Sequence, residues 1–68
     1  MSERMEITLK AARVNVGLTL EEACKILKIS RATLAKYEKG TSYPSWDMLA
    51  RMAELYRIDW RDFSLRQS

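Results

Sequence analysis

Within residues 30–40, SRATLAKYEKG, cations recur at Arg31, Lys36 and Lys39 with Ala32 and Ala35 between them. Cationic groups set among methyl-sized side chains suit close approach to an anionic surface. In a DNA major groove, Arg or Lys reaches guanine O6 and N7 while an Ala methyl meets a thymine methyl. On a helix, advancing about 100° per residue places Arg31, Ala32, Ala35, Lys36 and Lys39 in one arc of about 140°. Thr33, Leu34, Tyr37 and Glu38 fill the remainder. A solvated helix face usually mixes charge signs to gain i,i+4 pairs, whereas this arc carries one sign. The residues leave two readings: a helix that touches nucleic acid, or the solvated edge of a small bundle.

The wider charge distribution singles out the same segment. The 68 residues carry a net charge of +3, but residues 1–23 sum to −1, residues 24–43 to +4 and residues 44–68 to 0. All the excess positive charge therefore surrounds the stretch 30–40, as an anion-facing surface requires. The inventory argues against an enzyme. There is no His, no Gly-rich phosphate loop, and no nucleophile with a base beside it. One Cys without His makes neither a disulfide nor a zinc site, so no metal, cofactor or small-molecule ligand is expected. Cys24 reads as a small buried thiol. No apolar run approaches the ~20 residues of a membrane span, and the N-terminus has no signal-peptide core. A soluble, cytoplasmic protein that makes no membrane contact is expected.

Helix punctuation supplies the elements that must position the basic arc. Thr8 can cap LKAARVNV, with Gly17 after it as a residue tolerant of left-handed geometry. Thr19 and Glu22 have capping-box spacing and open a second helix that runs to about Leu27. Ser30 caps the third helix over 31–39, and Gly40 ends it. Ser45 caps WDMLARMAELY, and Asp59 caps a last short helix, WRDF. The fold class expected is all-α: one domain over 1–68, with a compact five-helix core over 7–64 and short tails. Leu9, Ala12 and Val16 share a core face, as do Ala23 with Leu27, and Leu49 with Ala53 and Tyr56. Leu18, Ile29, Ile58, Trp60 and Phe63 anchor the turns and the last helix. Trp60 and Phe63 read as core, with a partner chain as the alternative. Only about three residues separate helices 2 and 3, which is a helix-turn-helix arrangement.

From Leu9 to Phe63 the sequence resembles the lambda-repressor-like helix-turn-helix family, also called the Cro or XRE type. The resemblance rests on L-x3-R-x3-G-L-T at Leu9, Arg13, Gly17, Leu18 and Thr19. It rests also on I-S-x2-T-L-x2-Y-E-x-G from Ile29 to Gly40, and on P-S-x3-L-x3-A from Pro44 to Ala53. It implies a five-helix fold whose third helix enters the major groove of a double-stranded DNA operator, usually as a homodimer. Carried over by position, Arg31, Ala32 and Lys36 would face base edges. Ser30, Thr33 and Lys39 would lie near flanking phosphates or the groove rim, and Thr19 would anchor a phosphate. Tyr43 would reach backbone oxygens or pack within its loop. The family also pairs the helix 1 arginine with the late helix 3 acid, here Arg13 and Glu38. Dimerisation is expected through Trp60, Phe63 and Leu65.

Three positions depart from the family pattern. Leu20 stands where a phosphate-binding Gln is frequent, which removes an anchor or marks an apolar contact with a protein. Cys24 replaces a smaller residue. Lys28 replaces a Gly before the third helix; left-handed backbone there would cost roughly 1 kcal/mol, offset by a cation close to phosphate. The function expected is that of a minimal Cro/XRE-type transcriptional regulator, in the sense of a phage or prokaryotic repressor without a sensor domain. The alternative is a protein-interaction adaptor, antirepressor or antitoxin-like, on the same fold.

Overall fold

The computed structural model describes residues 7–64. Strand β1 (Ile7–Thr8) leads directly into α1 (Leu9–Asn15), followed by α2 (Leu20–Leu27), α3 (Arg31–Lys39) and α4 (Trp46–Tyr56). A 3-10 turn over Trp60–Asp62 then passes into β2 (Phe63–Ser64). The described residues are thus mostly helical.

Each helix begins on a side-chain cap. The hydroxyls of Thr8, Thr19, Ser30 and Ser45 accept the N–H of Ala11, Glu22, Thr33 and Met48, at 3.1–3.2 Å. Such a bond satisfies one of the donors orphaned in the first turn, and its loss typically costs about 1 kcal/mol. At Thr19 the box is reciprocal, because the Glu22 carboxylate also accepts the Thr19 N–H at 2.9 Å. Accepting the Thr19 N–H holds the Glu22 carboxyl below its ordinary value.

The helix ends share a device of their own. Gly17, Lys28, Gly40 and Arg57 take positive φ, between 60° and 83°. The next residue then donates its N–H back to a carbonyl five positions earlier. These bonds run from Leu18 to Arg13, Ile29 to Cys24, Thr41 to Lys36 and Ile58 to Ala53, at 3.0–3.2 Å. Leu18, Ile29 and Ile58 lay their side chains against the core, so each stop also tethers the following segment.

Leu9, Leu34 and Met52, all essentially inaccessible, form the centre of one buried cluster. Ala12, Ala23, Cys24, Leu27, Leu49 and Tyr56 complete it. Cys24 is a free thiol in this core, and burial pushes its pKa up.

The structure differs from the sequence expectation in three places. The fifth helix is a 3-10 turn of three residues. Asp59 takes both the Arg61 N–H and its guanidinium, at 2.8–3.1 Å, which tightens the chain into that turn. Phe63 leaves the turn extended, and β2 pairs in parallel with β1 in the register Ile7 to Phe63 and Thr8 to Ser64. Val16, expected in the core, closes α1 as its last cap and is exposed. Trp60 is exposed as well, edge-on to Trp46 with ring centroids 4.7 Å apart, while Phe63 is half-buried against Tyr56.

Candidate nucleic-acid interface

Leu34 fixes the orientation of α3. Its side chain is fully buried, with Tyr37 packed beside it on the core. Glu38, one turn on, is drawn inward by Arg13 of α1. The Arg13 guanidinium donates to both Glu38 carboxylate oxygens, at 2.8 and 3.2 Å, and to the Leu18 carbonyl at 2.8 Å. Both side chains are more than nine-tenths buried. Glu38 holds the Arg13 pKa above its ordinary value, chiefly through that hydrogen bond. A two-pronged, charge-assisted pair of this kind sets geometry as well as energy.

With one side of α3 held in this way, the other faces solvent. Arg31, Ala32, Lys36 and Lys39 are exposed, and Ala35 is half-buried between them. Helix α3 lies after α2 with only Lys28, Ile29 and Ser30 between. The left-handed turn at Lys28 (φ 61°) makes this short connection possible and leaves the Lys28 side chain exposed.

The hydroxyl-bearing residues are partly committed. Ser30 caps Thr33, and their hydroxyls lie 2.9 Å apart. Thr19 is exposed at the start of α2, but its own N–H is held by Glu22, and Glu21 and Glu22 occupy the first turn. An incoming anion would meet the Thr19 hydroxyl proton and the N–H of Leu20 and Glu21 against two acidic neighbours. Tyr43 is 68% exposed and is not packed into its loop. Leu20 is half-buried, with part of its side chain packed against the core.

Among the described residues, no group of His, Cys, Asp and Glu side chains is placed to hold a metal ion. No helix among them is long and apolar enough to cross a membrane. A basic, small-residue helix face, braced across a three-residue turn by a preceding helix, is the geometry of a groove-reading element.

Comparison with known proteins decides the family. The helix-turn-helix domain family matches residues 7–62. The chain belongs to the helix-turn-helix family of DNA-binding domains. Two curated relatives share this helix-turn-helix region. One, from Sulfurisphaera tokodaii, is 37% identical over 51 residues, which is 75% of this chain. The other, from Pyrococcus horikoshii, is 42% identical over 48 residues, or 71% of this chain. Both are named as candidate HTH-type transcriptional regulatory proteins. The chain spans only 17% and 15% of their lengths. No solved structure matches the chain.

The proposed dimer residues are only partly in view. Trp60 and Phe63 line one cleft of about 320 Å³ with Pro44, Trp46, Leu49 and Arg61. Leu65 lies outside the described residues. Sequence reasoning did not single out Trp46, which is 66% exposed at the first position of α4. Its spacing to Leu49, Ala53 and Tyr56 would have placed it on the buried face.

Proposed function

We propose that this chain binds double-stranded DNA in a sequence-specific manner, as the reading domain of a transcription regulator of the lambda-repressor-like, Cro/XRE type. The observation that carries this reading is the division of α3. One side is fixed to the core by Leu34 and the Arg13–Glu38 pair, and the other presents Arg31, Ala32, Lys36 and Lys39 to solvent. In this reading α3 lies in the major groove. Arg31, Ala32 and Lys36 meet base edges, while Lys28, Ser30, Thr33, Lys39, Tyr43 and Thr19 lie along flanking phosphates.

The protein acts as a repressor on an operator of two half-sites, one for each protomer of a homodimer. Trp60, Phe63 and Leu65 form the dimer seam. One reading helix recognises few base pairs, so two half-sites about 34 Å apart supply the specificity. The role is binding rather than catalysis, it takes place in the cytoplasm, and it needs no cofactor or small ligand.

Selection from random DNA followed by a salt titration tests this. A preferred operator should emerge, and log affinity should fall linearly and steeply with log salt as phosphate counterions are released. A flat salt response with no preferred site would overturn the reading. It would favour instead an adaptor that docks a protein through the exposed Trp46–Trp60 pair.

A further inference from the structure

Beside the exposed face of α3 lies a second cleft, of about 280 Å³, where α1, α2 and α3 meet. Its lining is Lys10 from α1, Leu20 at the first position of α2, Ala35 and Lys39 from the exposed arc of α3, and the Arg13–Glu38 pair. Three cations against one carboxylate leave this lining with a net charge of +2. Arg13 and Glu38 are committed to each other, so the uncompensated charge resides on Lys10 and Lys39. Both of these side chains are exposed, and among the described residues neither forms an ion pair.

We propose that Lys10 is a DNA phosphate-binding residue, forming with Lys39 a two-cation clamp on one backbone phosphate at the edge of the groove face. The inference rests on the DNA reading above and extends it to α1, an element that reading leaves without a contact. Ala35 and Lys39 belong to the presented face of α3, so a duplex lying on that face passes the mouth of this cleft. Leu20 packs partly against the core, and its side chain offers no hydrogen bond to a phosphate at this rim. A lysine projecting from the neighbouring helix supplies charge there through a flexible stem, contributing affinity without base discrimination.

The test compares wild-type protein with Lys10→Ala, Lys10→Arg, Lys39→Ala and Arg51→Ala on the operator obtained from random-site selection. Arg51 lies on the separate α2–α4 cleft and serves as the control. Fluorescence anisotropy at several salt concentrations gives the slope of log affinity against log salt. Holding the phosphate takes both lysines in this clamp, so loss of either gives up that contact, which should lower the slope by up to about 0.9 per monomer and weaken binding up to about eight-fold at 0.1 M salt. Lys10→Ala and Lys39→Ala should each show this loss on every sequence tested, and Lys10→Arg and Arg51→Ala should not. Ethylation interference should lose one and the same phosphate position in both alanine variants. Circular dichroism checks that the exposed Lys10 substitution leaves the helices intact. If Lys10→Ala keeps the wild-type slope and ethylation pattern while Lys39→Ala loses both, the clamp is overturned and the DNA reading stands. If wild type itself shows no salt-dependent binding, the DNA reading fails and takes the clamp with it.

Discussion

Arg13 and Glu38, 25 positions apart in the chain, meet through two hydrogen bonds that tie α3 to α1. The Leu18 carbonyl takes a third bond from the same guanidinium, so one side chain joins α1, the turn before α2 and α3. Replacing Arg13 by Met or Glu38 by Leu alone should destabilise the fold by about 3–5 kcal/mol, because the remaining charge stays buried without a partner. The double replacement Arg13→Met with Glu38→Leu should cost much less than the sum of the two single changes. Urea denaturation of the four proteins measures this. Strict additivity would show that the pair is not coupled.

Among the described residues the buried Tyr56 hydroxyl has no hydrogen-bond partner, and burial pushes its pKa from 10.0 to about 12. The folded state therefore keeps the phenol protonated where the unfolded chain has already released it. That stabilising difference is complete below pH 10 and is lost as pH rises from 10 toward 12. Tyr56→Phe should be neutral at pH 7, or stabilising by about 1 kcal/mol, since an unmade bond is removed. Its stability relative to wild type should rise through the alkaline window. Denaturation at pH 7 and across pH 9.5–11.5 reads both effects, and a large loss at pH 7 would reveal a partner for the hydroxyl.

Among the described residues, Lys28 and Arg57 are the two non-glycine positions at positive φ, 61° and 60°. Each closes its helix with a bond that a glycine would keep, without the steric cost of a Cβ. Lys28→Gly and Arg57→Gly should each raise stability by about 0.5–1 kcal/mol. Only Lys28→Gly should also weaken DNA binding, with a shallower salt dependence. Thermal melts and anisotropy titrations separate the two consequences, and equal effects on DNA would remove Lys28 from the interface.

Arg31 and Lys39 stand at opposite ends of the exposed face of α3. Arg31→Ala should cost about 1–3 kcal/mol of operator affinity and relax preference at one base pair. Lys39→Ala should weaken all sequences alike. Repeating the random-site selection with each variant provides the check, and an unchanged preference for Arg31→Ala would place that side chain on the backbone.

Trp46 and Trp60 expose much of their surface while touching edge to face. With Trp60 in the proposed dimer seam, Trp60→Ala should shift light-scattering mass toward the monomer and lower operator affinity more than half-site affinity. A wild-type protein that scatters as a monomer with and without DNA would remove the homodimer from the proposal.

The helix starts were legible because a cap acts within three residues. Thr8, Thr19, Ser30 and Ser45 announce themselves by type and spacing, and their bonds need nothing from the rest of the chain. The segment after Asp59 was not legible as a 3-10 turn. An Asp before WRDF opens a helix or a tight turn equally well, and pairing of Phe63 with Ile7 across the molecule favours the turn. Two-residue strands are too short for alternation to register. Val16 was misplaced because helical spacing gives a face but not where the core ends along it.

For the candidate site, the sequence by itself determined the two faces of α3, since a period of about 3.6 residues follows from backbone geometry alone. It also separated Glu38 from the cations. The tertiary structure decided what those faces meet. Burial of Leu34 set the rotation of α3, the Leu18 carbonyl joined the Arg13–Glu38 pair, and Leu20 packed partly against the core. Packing of three helices then brought Lys10 to the same cleft as Lys39, 29 positions further along the chain. Such neighbours have no spacing rule, because the distance between them depends on how the core fills rather than on the path of the backbone.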